Sequence, residues 1–486
     1  MNTNETFTLS AIAKRLGLSA PTVSNWRNRY DDFPRPVETV GKRELWTLQQ
    51  IQQFMKVRGL DGRERRPSAN KSPQKDFSSL EGLIASLSEF LNPEEAILFL
   101  LAQAWNIKQG SPTSNLRSLA STLQDHPTLR PLSGSVTAAL KTEQLRLFAE
   151  IQKGLTAILS EKSRRFIFVS DVRIRWGQLG RDRAATTSPD RLGAIMASLT
   201  NGGSILELCA GLGSSFRHLT TAKQIVAQEI DPVAVAILTV LLEIEGIAAQ
   251  VHSEDSIATL HRDWLGSFDV VLAVPPSRAQ SQENELSTND PRWLRYESGR
   301  IRPEDSWILN ALSYLDPAGT AVIALPTSWM TASGSARFRK WLVGLGHLRA
   351  AISLGSGFYT DNRVEMTVLV LSGTLQPNGP VLIVNARDLA TQASTSRQEG
   401  SSVTAVSSLL KSKPQERVIE LPASELVVLG SLLEFFALKA LVTDASRPQP
   451  NETLKQVLGQ LEELANGHQK MIKEIRDFAK FSKELS

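Results

Sequence analysis

The stretch Ile205 to Gly213, read ILELCAGLG, constrains this chain more than any other. Ser204, Ile205 and Leu206 have the composition of a short buried strand. Glu207 ends the apolar run, Gly211 and Gly213 permit a tight turn, and Ser214 to Leu219 reads as the start of a helix. A strand, a glycine turn and a helix N-terminus in that order make a nucleotide-cofactor site, because glycine lets backbone approach the ligand and a helix end presents free N–H groups. The same pattern also arises for packing reasons alone, so the residues downstream decide.

From Thr200 to about Ala386 strands and helices alternate. Candidate strands are Ser204–Leu206, Ile225–Glu229, Ala248–Val251, Val270–Ala273, Thr320–Leu325, Ala350–Ser353 and Met366–Leu371, with helix-length segments at Pro232 to Glu245 and Asp305 to Leu315. This predicts a doubly wound α/β sheet. Glu229 falls sixteen positions after Gly213, at the end of the second strand, where a carboxylate can accept hydrogen bonds from two ribose hydroxyls. Asp255 follows the third strand, placed to accept from an adenine amino group. The fourth strand runs into Val274-Pro275-Pro276-Ser277. Each acid taken alone reads equally well as a solvated loop charge; their order is what points to a cofactor.

With 486 residues, two to four domains are expected. The single cysteine, Cys209, excludes an intramolecular disulfide framework and a Cys-rich zinc site; no metal is expected, and Cys209 reads as a small buried residue. No run of about eighteen apolar residues and no basic-then-apolar leader is present, so the expectation is a cytoplasmic, nucleoid-associated protein without a membrane partner. Residues 1–75 carry 14 Lys and Arg against 7 Asp and Glu, whereas the whole chain nets only +4, so positive charge is concentrated at the N-terminus. That bias points to a polyanion partner there, or to a solvated basic tail.

In that region Leu9, Ile12, Ala13 and Leu16 place a helix over Thr8–Leu16, Gly17-Leu18-Ser19 makes a turn, and a second helix spans Pro21 to about Tyr30. Val23 and Trp26 face inward, leaving Thr22, Ser24, Asn25, Arg27 and Arg29 to face outward, a set suited to base edges and phosphates. Val37 to Trp46 reads as a hairpin around Gly41-Lys42-Arg43, its Lys42 and Arg43 placed for backbone phosphate, and Leu48, Ile51, Phe54 and Met55 mark a closing helix. The order resembles the winged helix-turn-helix of the MerR and excisionase type, which implies double-stranded DNA as partner; a protein-docking module with incidental charge is the alternative. The expected division is a winged domain at 1–60, a linker at 61–76, a helical domain at 77–184, a Rossmann domain at 185–390, and a C-terminal loop and helical tail at 391–486. Pro127 to Thr137 and Ala386 to about Glu416 read as loops, and Arg164, Arg165, Arg173, Arg175, Arg181, Arg183 and Arg191 form a loose basic run that could line a DNA-facing surface or simply be solvated.

The motif order resembles that of S-adenosylmethionine-dependent DNA N6-adenine methyltransferases, in particular the modification subunits of type I restriction systems. The family's DPACGTG stands here as Glu207 to Gly213, its G-x-E as Ala227-Gln228-Glu229, and its G-D-S as Glu254-Asp255-Ser256; its opening Thr-Pro matches Ser188-Pro189, and Gly357-Phe358 matches its G-x-F loosely. The resemblance implies a Rossmann-like class I methyltransferase core preceded by an all-α region and the small winged domain. It also implies S-adenosyl-L-methionine as cofactor, held by Glu207, Gly211, Gly213, Glu229 and Asp255. Where the family has N-P-P-F or N-P-P-Y, this chain has Val274-Pro275-Pro276-Ser277. In the family the Asn oxygen and a proline carbonyl accept the hydrogens of a flipped adenine's amino group, and the aromatic ring stacks on the base. Val274 and Ser277 offer neither.

Two readings stay open. The first is a DNA-binding N6-adenine methyltransferase relative, in restriction-modification or phage defence, with a degenerate catalytic motif. The second is a non-catalytic regulator or scaffold that uses the same fold as cofactor sensor or docking platform. The apolar spacing of Leu454, Val457, Leu458, Leu461 and Leu464 gives an amphipathic helix that can pair with a partner such as a specificity subunit, or pack on its own body; a homodimer is also allowed.

Overall fold

A computed structural model of the chain describes residues 6–16, 23, 33–40, 43–57, 76–110, 115–142, 144–276, 290–293, 296, 301–356, 364–390 and 399–442, and five residues between 463 and 474. It divides into two units, Met1–Lys75 and Asp76–Ser486.

In the first unit β1 (Thr6–Phe7), β2 (Glu38–Val40) and β3 (Arg43–Thr47) form an antiparallel sheet in the order β1-β3-β2. Val40 pairs with Arg43 at the end of the described β2–β3 ladder. Helices Leu9–Arg15 and Leu48–Val57 bring Ile12, Ala13, Ile51, Phe54 and Met55 together with Val23, Phe33 and Trp46. The Trp46 indole donates to the Pro34 carbonyl at 2.8 Å, closing the base of the hairpin. Thr22, Ser24, Asn25, Arg27, Arg29 and Lys42 lie outside the described residues, and only the backbone of Arg43 is described.

The second unit opens with helices Leu80–Leu87, Pro93–Lys108, Leu116–Asp125, Arg130–Leu140, Leu145–Ser160, Lys162–Gln178 and Arg181–Ala185. Asn92 and Glu95 make a reciprocal capping box at the start of the long apolar helix Pro93–Lys108. The loop expected at Pro127 to Thr137 is instead mostly helix: Pro131 sits in the first turn, where its missing N–H breaks no bond. The basic run is corrected at Arg173 alone. Arg164, Arg173, Arg175 and Arg183 are each paired with an acid, and Arg173 is buried.

The nine-stranded sheet comes next along the chain: β4 (Gly203–Leu208), β5 (Ala222–Glu229), β6 (Gln250–Ser253), β7 (Phe268–Ala273), β8 (Leu315–Pro326), β9 (Leu348–Leu354), β10 (Met366–Ser372), β11 (Pro380–Ala386) and β12 (Val418–Pro422). Their order is β12-β11-β9-β10-β8-β7-β4-β5-β6. Strands β6, β5, β4, β7 and β8 are mutually parallel, while β10 runs antiparallel to both β8 and β9. The central strands are nearly continuous apolar runs because both faces are covered: Val271 and Ala273 face one core, Val270 and Leu272 the other. The strands at the two edges, β6 and β12, are short, mix polar with apolar residues and are less buried than the centre. Residues 386–416, expected as loop, hold helix Glu399–Ser412, and β12 joins the sheet beyond it, so the described core runs past 390 to Val442.

Helix Pro232–Glu245 starts at Asp231, whose carboxylate caps Val233 N–H at 2.8 Å, and ends at Gly246 with φ 72°. Its Leu238 and Leu242 pack on the sheet; Ile237, Val240, Leu241 and Ile244 pack into the helical region. From β4 the chain winds outward through β5 and β6, then returns to place β7 on the other side of β4. The reversal leaves a crevice beyond the carboxyl ends of β4 and its neighbours, where ligands of such sheets bind.

Candidate functional site

Glu207, Gly211, Gly213, Glu229, Asp255 and Val274 are all brought to that crevice. Each lies at or just past the carboxyl end of one of the four adjacent parallel strands β7, β4, β5 and β6. The turn after β4 is tightly determined. Cys209 takes φ 47°, unusual for a residue with a side chain, and Gly211 and Gly213 take φ 54° and 67°. A Cβ on Gly211 would stand 2.2 Å from the Thr186 carbonyl oxygen. Every amide from 209 to 213 already has a protein acceptor: Cys209 N–H donates to Ser256 Oγ (3.3 Å), Ala210 to the Gln228 carbonyl (2.9 Å), Gly211 to Glu229 Oε2 (2.8 Å), Leu212 to the Thr186 carbonyl (2.9 Å), and Gly213 to the Ala210 carbonyl (2.9 Å).

This narrows the expectation of a helix end to a single short turn. The chain leaves the turn into a short 3-10 segment, Phe216–His218, and the turn's amides are spent. The five amides of 209–213 offer a phosphate no donor. The crevice presents carboxylates instead, a lining suited to hydroxyls and positive charge.

Glu229 is buried at the end of β5. Its Oε2 accepts from Gly211 N–H and its Oε1 from Asp231 N–H at 2.9 Å. Burial raises its pKa, and the two amides oppose that rise. Each oxygen retains a second lone pair. Asp255 Oδ1 accepts from Ile257 and Ala258 N–H at 2.8 and 3.1 Å, and among the described residues its Oδ2 has no hydrogen bond. Glu207 lies beneath, fully buried, accepting from the Ser215 hydroxyl; burial lifts its pKa to about 7. The Cys209 thiol is pushed well above its ordinary pKa by burial and the Glu229 charge, so it is no nucleophile at neutral pH. Val274 follows β7 half-buried against the core, while Ser277, like Gly357 and Phe358, lies outside the described residues.

Residues 195–406 match the family model described as N-6 DNA Methylase. The match runs from within helix Asp190–Ser198 to within helix Glu399–Ser412 and so holds every strand-end residue named above. The fold is that of type I methyltransferase subunits. The subunit from Streptococcus thermophilus is similar over 88% of this chain and 90% of its own, with a TM-score of 0.54 at 15% identity. A chain from a study of assembly and conformational transition in the type I restriction-modification system gives 0.55 at 12% identity, over 82% and 97%. A modification subunit of a candidate type I restriction enzyme from Vibrio vulnificus gives 0.52 at 12% identity, over 73% and 94%. No curated protein matches the chain by sequence.

The structure adds residues that motif reading passed over. Ile230, next to Glu229 just past the end of β5, is 63% exposed, an apolar side chain left open beside the strand-end acid. Arg173, from outside the matched segment, donates through Nε to the Leu212 carbonyl and through Nη2 to the Gly213 carbonyl, both at 2.9 Å, while pairing with Asp190 and Glu245. It thereby fixes the turn from behind. Ile230 had a signal, an isoleucine directly after the strand-end acid; Arg173 looked like any other arginine of a basic run.

Proposed function

We propose that this chain is a DNA-binding relative of the type I modification subunits that takes S-adenosyl-L-methionine at the ends of β4, β5 and β6 and transfers methyl groups poorly. The observation that carries the reading is a carboxylate-lined crevice beside a turn whose amides are already spent. It fits a cofactor with ribose hydroxyls and positive charge better than one with phosphates. Glu229 holds the ribose through its remaining lone pairs, Ile230 lies against adenine, and Asp255 Oδ2 accepts from the adenine amino group. Gly211 and Gly213 give the close approach, and Glu207 supplies carboxylate character beneath. When bound, the cofactor supplies a methyl group on a sulfonium, an electrophile for an exocyclic nitrogen.

Val274 is why transfer is poor. As a carbon–nitrogen bond forms, positive charge grows on the nitrogen, and a side-chain acceptor at 274 would stabilise it; valine has none. Loss of one such group costs about 3–4 kcal/mol by comparison with oxyanion-hole deletions, roughly two to three decades of rate. Pro275 and Pro276 keep the backbone form, but Ser277 cannot stack on a flipped base.

DNA binding is assigned to the N-terminal unit as a winged helix-turn-helix domain. Its sheet, its two described helices and the burial of Val23 among them support that assignment. Thr22, Ser24, Asn25, Arg27, Arg29, Lys42 and Arg43 are the contacts. Segment 453–486 is the pairing element for a specificity-subunit-like protein or a second copy. Val274 equally supports a second reading, a regulator or scaffold in which cofactor binding is sensed without chemistry.

Calorimetry with S-adenosylmethionine tests the site: binding that Glu229→Ala abolishes supports it, and absence of heat with the unaltered chain refutes it. Tritiated methyl transfer to unmethylated DNA separates the two readings. The unaltered chain should be near background and V274N/S277F well above it. Strong adenine methylation by the unaltered chain overturns the impaired-transfer claim, and background levels in both leave only the sensor.

A further inference from the structure

The two sides of the crevice are joined through Ser256. Its Oγ accepts the Cys209 amide of the β4 turn, and its carbonyl oxygen accepts from Asn310 Nδ2 at 2.8 Å and Arg292 Nη1 at 3.4 Å. Arg292 Nη1 also donates to the Thr259 carbonyl (3.0 Å) and to Asn310 Oδ1 (3.1 Å). Its Nε and Nη2 grip the Asp290 carboxylate at 2.6–3.1 Å. Arg292 is 1% exposed and Asn310 0%, so these groups are desolvated and each bond matters to its partner. Arginine suits the place because its planar fork can serve an acid on one edge and carbonyls on the other; lysine cannot do both.

Asp290 and Arg292 lie in the stretch that follows Val274-Pro275-Pro276, on the side of the chain that carries the degenerate motif. The carbonyls they reach, directly or through Asn310, belong to the turn that begins at Asp255. That turn leaves Asp255 Oδ1 occupied by the amides of Ile257 and Ala258, so the direction of Oδ2 depends on where the Ser256–Thr259 backbone is held.

We propose that Arg292 is a positioning residue that holds the Ser256–Thr259 turn so that Asp255 meets the cofactor's adenine, coupling the segment after the Val-Pro-Pro motif to cofactor recognition. This rests on the cofactor assignment made above.

The test is calorimetry on the full chain with S-adenosylmethionine and with its analogue lacking the adenine 6-amino group, on the unaltered protein, Arg292→Lys, Asn310→Ala, Asp255→Ala and Arg292→Lys/Asp255→Ala. Arg292→Lys keeps charge beside Asp290 but loses the fork. Its dissociation constant should rise about tenfold, and the double variant should bind no worse than Asp255→Ala alone. The analogue should bind all of these proteins alike. Asn310→Ala reaches the same Ser256 carbonyl and should reproduce the loss, which keeps the test decisive if Arg292→Lys fails to fold. Unchanged affinity in both folded variants, multiplied losses in the double variant, or an analogue that suffers equally would overturn the proposal and leave the cofactor assignment standing. No binding by the unaltered chain refutes that assignment, and the proposal with it.

Discussion

Glu207→Gln isolates the energetic consequence of burying a carboxyl beneath the β4 turn. Burial raises this pKa from 4.5 to about 7, against the lowering effects of the Ser215 hydroxyl and Arg173. Between those values the unfolded chain releases the proton first while the folded chain keeps it, so stability falls as pH rises through this window. A shift of that size amounts to about 3 kcal/mol, fully present as a penalty above pH 7 and absent below about 4.5. Glutamine retains an acceptor for Ser215 and has no charge to desolvate. The variant should therefore match the unaltered chain near pH 4.5 and exceed its stability by about 3 kcal/mol at pH 7.5. His218, whose pKa burial lowers to about 4, acts in the opposite sense: its contribution is present above its unfolded pKa of 6.5 and is lost as pH falls toward 4. It is common to both proteins and cancels in the comparison. Denaturant midpoints and thermal melts at half-unit steps from pH 4.5 to 8 measure the gap. A gap constant across that range would refute the burial argument, since only a titrating group makes the difference grow.

The same geometry sets other outcomes. Gly211→Ala puts a Cβ against the Thr186 carbonyl at φ 54° and should lower the melting temperature and abolish cofactor heat; normal binding by this variant would mean the turn is not the cradle. Arg173→Met takes the buried donor from two turn carbonyls and leaves Asp190 and Glu245 with Arg217 as their remaining cation, and should cost about 1–3 kcal/mol per unsatisfied group in a denaturation series, whereas a loss under about 1 kcal/mol would show that the turn holds itself. Removing residues 1–60, or Arg27→Ala with Arg29→Ala, should weaken DNA binding and flatten its salt dependence in fluorescence anisotropy; unchanged affinity would move the DNA site to the body of the protein.

The sheet was legible where its strands are buried on both faces, because runs such as Val270–Ala273 leave few alternatives, and helix Pro232–Glu245 was legible from Asp231, Pro232 and Gly246 at its ends. Strands β11 and β12 were not, since they lie toward an edge and β12 mixes polar with apolar residues. Helix Arg130–Leu140 was hidden by a proline that only its position in the first turn makes harmless. The site was readable as strand-end residues, Glu229 and Asp255 foremost. Its supports were not: Arg173 and Arg292 act on backbone carbonyls far away in sequence, and no local pattern records which carbonyls a folded chain leaves in need of a donor.

Helix Pro232–Glu245 limits which pieces of the chain can exist separately. It serves two cores at once, and detaching the helical region would bare Ile237, Val240, Leu241 and Ile244. At about 1.5–3 kcal/mol for each large side chain, that is about 6–12 kcal/mol, comparable to the whole stability of an ordinary domain. A fragment trimmed to 195–406 would therefore carry an open apolar flank and tend to aggregate, and loss of the helices upstream would be felt at the crevice as loss of folding. The span over which ancestry is recognisable is shorter than the span that must fold together.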